Sequence, residues 1–189
     1  MTELPATPVS CIVLAGGQGR RMQGQDKGLV DYRGRPLIEW VLERIRPQVD
    51  DIIISANRHA QRYSAYANHV VADERAGFTG PLAGIASCLP YCRHPQALVV
   101  ACDMPRLPLD LVHCLQQSLC HHTVAVISCQ HRLQLAMLLT ADLQASLQQA
   151  LTCAKLKLMD WVSEQDSIVV EYNDSAAFSN LNTPHDLKA

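Results

Sequence analysis

The stretch CIVLAGGQGRRMQGQDKGLV, Cys11 to Val30, begins as a short apolar run and breaks into glycines, two arginines and an Asp-Lys pair. A strand that ends in bare backbone and positive charge suits a phosphate, because N–H groups freed of side chains approach oxyanions and arginine adds forked donors. Lys27 adds a compact charge on a flexible stem. Two familiar templates nearly fit and both fail. GxGxxG would start at Gly17-Gln18-Gly19, but Met22 stands at its third glycine. The Walker loop would run from Gly19 to Gly24, but Gln25 stands where lysine is required.

Outward from this stretch, apolar runs of strand length alternate with helical patterns. CIVLA (11–15), DIIISA (51–56), HVVAD (69–73), ALVVACD (97–103), TVAVISC (123–129), LQLAMLL (133–139) and SIVVEY (core 168–172) read as strands. Between them, 36–45 places Leu37, Ile38, Val41, Leu42 and Ile45 on one helical face, with Pro36 in the first turn. Helices are also expected over 58–67, 81–89, 108–119, 140–151 and 155–164. A last short helix is expected over 182–187, with Thr183 as N-cap, Pro184 in its first turn and Asp186 three residues after the cap. This alternation predicts an α/β fold with helices on both faces of a mostly parallel sheet. The strands are continuous apolar runs, as in sheets covered on both sides. Residues 1–9 are expected to be a disordered tail and 10–189 a single domain.

Ligands of such sheets collect at the carboxyl ends of the strands. The polar residues fall there: Gly16, Gly17, Gly19, Arg20, Arg21 and Lys27 after the first strand; Ser55, Asn57 and Arg58 after the second; Asp73 and Glu74 after the third; Asp103 after the fourth. A carboxylate at the end of an apolar strand needs solvent or a cation. A magnesium ion shared with substrate phosphates, a salt bridge or a helix N-cap each satisfies Asp103. GFTGPLAG (77–84) opens a helix at Pro81, and Gly80 leaves room there for a base or phosphate to approach a helix N-terminus; a plain loop reads the same way.

A net charge of −2 gives no basic excess for nucleic acid. No apolar run approaches the roughly 20 residues of a membrane span. The first ten residues lack the pattern of a secretory signal, and eight cysteines without a CxxC pair suit reduced thiols, so a cytoplasmic location is expected. Cys120, His121 and His122 are adjacent, which is poor spacing for one metal. The histidines form no HxxxH or HExxH pattern, and are expected on the surface or in loops. With no activated side-chain nucleophile, the ingredients suit direct transfer between two substrates, the protein supplying position and charge.

LAGGQGRRMQGQDKGL, GPLAGI, CDMP and NLNTPHDL, in that order, resemble the molybdenum cofactor guanylyltransferases, within the nucleotidyltransferases that also make nucleotide sugars. The resemblance implies a single three-layer α/β/α domain with a Rossmann-like nucleotidyltransferase fold. It implies transfer of GMP from GTP to molybdenum-bound molybdopterin, with magnesium and release of pyrophosphate. It implies that Leu14, Ala15, Gly16 and Gly17 hold the guanine nucleotide, with Ser55, Asn57, Asp73, Gly80 and Pro81 completing the GTP site. Arg21 and Lys27 would contact phosphates, Asp103 would bind magnesium and also serve catalysis, and Asn180 and Asn182 would lie toward the pterin. Ser55 stands where the family often has asparagine, and HRLQLAM (131–137) lacks the family's His-Pro pair. Molybdopterin is large and labile, so molybdenum-insertion proteins or molybdoenzyme chaperones are expected partners. Three other readings stay open: a cytidylyltransferase acting on the same cofactor, a sugar-1-phosphate nucleotidyltransferase, and a nucleotide sensor without catalysis. Lys27 and Asp103 together count against the sensor.

Overall fold

A computed structural model of the chain describes residues 7–17, 24–73, 80–183 and 185–188. The strands are β1 (Val9–Leu14), β2 (Asp31–Tyr32), β3 (Arg35–Pro36), β4 (Asp51–Ser55), β5 (His69–Val71), β6 (Gln96–Ala101), β7 (Val124–Cys129), β8 (Arg132–Thr140) and β9 (Ser167–Glu171). The helices are α1 (Leu37–Ile45), α2 (Ala60–Tyr63), α3 (Pro81–Cys88), α4 (Leu111–Leu119), α5 (Gln144–Thr152) and α6 (Leu158–Ser163). Apart from the β2–β3 hairpin, the strands form one seven-stranded sheet in the order β5-β4-β1-β6-β8-β7-β9.

β5, β4, β1 and β6 are mutually parallel, and β9 is parallel to β7. β8 runs against both of its neighbours. The reversal comes from the turn between β7 and β8: Gln130 and His131 both have positive φ, the geometry of a tight hairpin turn, and Cys129 pairs directly with Arg132. The sheet is thus mostly parallel, as the alternation of elements predicts.

Alternate residues of each strand feed two cores. On one face Cys11, Val13, Ile52, Ile54, Leu98 and Val100 meet the apolar stripes of α1 and α4. On the other, Ile12, Ile53, Val99, Val126 and Met137 meet α3, α5 and α6, including Trp161. Each fully buried aliphatic side chain contributes about 1.5–3 kcal/mol; the expected stripe of α1 is buried at all five positions, with Ile38, Val41, Leu42 and Ile45 in the first layer and Leu37 against Tyr32 and Leu181.

Several boundaries differ from expectation. Val9 already belongs to β1 and is buried, so the domain starts inside the stretch read as tail. Pro36 is extended (φ −54°, ψ 138°) and ends a small hairpin, so α1 starts at Leu37. The expected helix over 58–67 is only α2, and it starts at Ala60 because His59 takes a left-handed backbone (φ 52°) that a helix cannot continue through. α4 starts at Leu111, three residues later than expected. The helix expected over 140–151 begins as a 3-10 turn, Ala141–Leu143, before α5, and α6 is shorter than 155–164. The final helix is a 3-10 turn, Asp186–Lys188, and Pro184 lies outside the described residues.

The packing of α3 sets the shape of the sheet's carboxyl rim. A Cβ on Gly84 would stand 2.6 Å from Ser55 Oγ and 3.0 Å from Leu14 Cδ2. Gly84→Ala is therefore expected to destabilise the chain by about 1–3 kcal/mol despite alanine's better helix propensity. Adding Ser55→Ala should recover most of that loss in denaturant melts.

Candidate active site

Because β5, β4, β1 and β6 are parallel, their carboxyl ends share one rim. Backbone bonds carry the ladders one residue past the strands: Ala15 N–H donates to Ser55 O (2.8 Å), Ala56 N–H to Val71 O (2.9 Å) and Cys102 N–H to Leu14 O (3.1 Å). The tips holding Gly16, Asn57, Asp73 and Asp103 are fixed in register by these bonds.

Two clusters form on the rim. In the first, the Lys27 ammonium forms an ion pair with the Asp103 carboxylate and donates to Asn182 Oδ1 at 2.6 Å. Lys27 opens a 3-10 turn, Lys27–Leu29, and Asp103 lies in the turn after β6. Asn182 comes from the far end of the chain, drawn in where Leu181 N–H donates to Asp103 O at 3.0 Å. Its backbone is held in turn by Asp186, whose Oδ2 accepts the N–H groups of Asn182 (2.7 Å) and Thr183 (2.8 Å). These two bonds hold the Asp186 carboxyl below the usual carboxylate range. A lowered folded-state pKa means that its contribution is complete at neutral pH. It is lost only as the pH falls below the ordinary carboxylate range and through the lowered value. Asp186→Ala is expected to speed amide exchange in the Asn182–Thr183 turn at pH 7, read by mass spectrometry.

In the second cluster Asn57 and Asp73 bond reciprocally. Asn57 Nδ2 donates to Asp73 Oδ2 (2.8 Å) and Asp73 N–H donates to Asn57 Oδ1 (2.8 Å). Asn57 Nδ2 also reaches Gly16 O at 3.5 Å, and a Cβ on Gly16 would stand 3.1 Å from that nitrogen. Glycine is what lets the first loop lie against Asn57.

Each cluster contains a buried oxygen with no hydrogen-bond partner among the described residues, Asp103 Oδ1 and Asp73 Oδ1. A buried carboxylate oxygen left this way suits a cation or a donor brought by a ligand. Asp103 has the oxygen chemistry of a magnesium ligand. Among the described residues no group of three or more His, Cys, Asp or Glu gathers for a metal. A cation at Asp103 would therefore take most of its shell from phosphates and water, as magnesium commonly does.

The glycine loop has its own anchors. Arg58 Nη1 donates to Gly24 O (2.9 Å) and Nη2 to Gly17 O (3.2 Å). The Tyr63 hydroxyl donates to Asp26, which also bonds His59 Nδ1 at 3.0 Å. Burial, more than the neighbouring Cys102 and Asp26, pushes the Tyr63 phenol well above its ordinary range, so it stays a donor.

The residues singled out in the sequence thus separate. Lys27, Asp103 and Asn182 come together, as do Gly16, Asn57 and Asp73. Leu14, Ala15 and Gly17 lie on the same rim, and Gly80 (φ 87°) and Pro81 start α3. Ser55 is buried beneath α3, its hydroxyl against Gly84. Asn180 is exposed. Gly19, Arg20, Arg21 and Glu74 lie outside the described residues. Asp26, Tyr63 and Asp186 carry contacts to which the sequence reading gave no site role. His59, expected as a loop residue, is half-exposed and also braces Asp26. No local pattern signals His59 and Tyr63 as partners of Asp26, because 33 and 37 residues of chain separate them from it.

The MobA-like NTP transferase domain family matches residues 11–168, which places this chain, with its lysine–aspartate pair on a rim over parallel strands, among the nucleotidyltransferases. The chain is 40% identical over 183 residues to a molybdenum cofactor guanylyltransferase of Ectopseudomonas mendocina, covering 96% of this chain and 91% of that one. It is 41% identical over 180 residues to one of Shewanella halifaxensis, covering 93% and 90%. The chain belongs to the molybdenum cofactor guanylyltransferase family. Its fold also matches the crystal structure of a molybdopterin-guanine dinucleotide biosynthesis protein A from Archaeoglobus fulgidus, with a TM-score of 0.78, 24% identity and 95% of both chains covered.

Proposed function

We propose that the protein transfers GMP from GTP to molybdenum-bound molybdopterin. A phosphate oxygen of the pterin attacks the α-phosphorus of GTP, the α–β phosphoanhydride bond breaks, and pyrophosphate leaves. The observation that carries this reading is the meeting of Lys27, Asp103 and Asn182 from three distant parts of the chain over the strand tips. Lys27 is placed to offset phosphate charge, which grows on the leaving pyrophosphate. Asp103 orients Lys27, and its other oxygen, unpartnered among the described residues, would hold the cation. Magnesium, held by Asp103, substrate phosphates and water, would supply further neutralisation of the triphosphate. Asp73 Oδ1 is an acceptor for the nucleoside, and Asn57 keeps that carboxylate in place. Asn182, bonded to Lys27, joins the pterin side to the phosphate side. No protein side chain forms a covalent intermediate in this scheme.

The family membership supports the same substrates. The eight free thiols suit a reducing cytoplasm, and among the described residues no helix is long and apolar enough to cross a membrane. Delivery of the pterin by an insertion protein or chaperone is part of the proposal. The test is an omission series with pyrophosphate as the readout. Release should need GTP, molybdenum-bound molybdopterin and magnesium together. Equal release without the pterin, or with the metal chelated, contradicts the reading.

A further inference from the structure

Arg58 stands at the tip of β4, among the residues expected at the ligand rim. Its guanidinium is committed elsewhere: the two terminal nitrogens donate to Gly24 O and Gly17 O. These glycines bracket the Gln18–Gln23 stretch, so one side chain joins the loop's two ends. A planar fork of N–H donors suits two separate carbonyls; a lysine ammonium is a compact point charge. Gly24 has φ +80°, a backbone that a side chain would strain.

The same short connection holds the far side of the loop. His59 and Tyr63 grip Asp26, which is 8% exposed and adjoins Lys27. Tyr63 also fills the space against Gly28, where a Cβ would stand 2.5 Å from the phenol oxygen. His59 keeps a left-handed backbone between the Arg58 and Tyr63 contacts. A non-glycine residue persists in that region when its surroundings over-determine it, a pattern that clusters at functional sites. Lys27 is therefore flanked by Asp26 and Gly28, both fixed by residues 59–63, and preceded by a loop whose ends Arg58 ties.

We propose that Arg58 is a positioning residue: it closes the glycine loop through two carbonyls and, with His59 and Tyr63 on Asp26, sets where the Lys27 ammonium reaches Asp103. It acts through the backbone and not as a phosphate ligand. The kinetic part of its test rests on the guanylyl-transfer reading; the exchange part does not.

The experiment compares the full-length chain with Arg58→Ala, Arg58→Lys and Tyr63→Phe. Amide hydrogen exchange in peptides covering Leu14 to Leu29 should speed up about tenfold in both Arg58 variants, and less in Tyr63→Phe. The kcat for GMP transfer should fall about 10- to 100-fold, while KM for GTP changes by less than about threefold. Lysine should not rescue, because it keeps the charge but not the fork. Tyr63→Phe keeps the ring against Gly28 and tests the second anchor if the Arg58 variants fold poorly. Unchanged exchange, unchanged kcat, full rescue by lysine or a loss confined to KM each overturns the proposal. A wild-type chain without GMP transfer sinks the functional reading instead, and the exchange comparison still decides whether Arg58 ties the loop.

Discussion

Asp103→Asn is expected to remove GMP transfer, lowering turnover about 10³-fold or more. The change keeps the side chain's size at a position that is 5% exposed, so the fold should survive. It removes both things that the carboxylate does in the proposed reaction. One oxygen holds the Lys27 ammonium; the other is buried and without a partner among the described residues. An amide has no net charge for the lysine, and one of its two heavy atoms is a donor that a cation cannot use. A factor of 10³ corresponds to about 4 kcal/mol of transition-state stabilisation, which asks a plausible amount of one carboxylate acting on lysine and metal together. Pyrophosphate release with saturating substrates checks it, alongside a thermal melt. A loss below about tenfold in a folded variant would show that neither the metal nor the lysine depends on this residue.

Lys27→Met has the second largest expected effect, and it is felt twice. Turnover should fall about 10²- to 10³-fold, because the charge proposed to offset the triphosphate is gone. Stability should fall by about 1–3 kcal/mol, because a nearly buried Asp103 is left without its cation. The double variant Lys27→Met with Asp103→Asn separates the two effects. Without an unpaired buried charge, it should regain most of the stability, while remaining inactive. A double variant as unstable as Lys27→Met would mean that packing of the lysine stem, not the ion pair, carries the stability.

That Lys27 and Asp103 share one rim was legible; that they pair with each other was not. Continuous apolar strands separated by helices imply parallel strands, and parallel strands bring their carboxyl ends to one rim. The presence of Lys27, Asn57, Asp73 and Asp103 on one rim follows from that rule; their grouping into two clusters required the fold. The side of the sheet to which an end residue turns does not follow. Ser55 looks like a rim residue in the sequence, yet it lies under α3, because Gly84 lets that helix press onto the strand ends. The β2–β3 hairpin was missed because two-residue strands are too short for an alternating pattern to register. The reversal of β8 was not signalled, because its turn uses Gln130-His131 in place of the usual Asn-Gly or Asp-Gly.

The loop anchors were illegible for a different reason. Asp26 meets His59 and Tyr63 across 33 and 37 residues of chain, and Arg58 meets Gly17 across 41. Motif reading finds residues that act close together in sequence. It sees the glycines and the lysine, but not the side chains from another element that hold them. The C-terminal contribution lay between these cases. NLNTPHDL placed Asp186 three residues after the Thr183 cap by local pattern and marked Asn182 through the family resemblance, while the bonds of Asp186 to that turn and the reach of Asn182 to Lys27 required the fold.

The glycine loop and the Lys27–Asp103 pair are proposed to serve transfer of a guanylyl group from GTP to the pterin. The most direct measurement supplies the purified protein with molybdenum-bound molybdopterin and magnesium, and with GTP labelled at the α-phosphate in one tube and CTP labelled likewise in another. The pterin product is then isolated and counted. Label from GTP and not from CTP is the predicted result. Label from CTP alone would keep the chemistry and overturn the base, and label from neither would contradict the account.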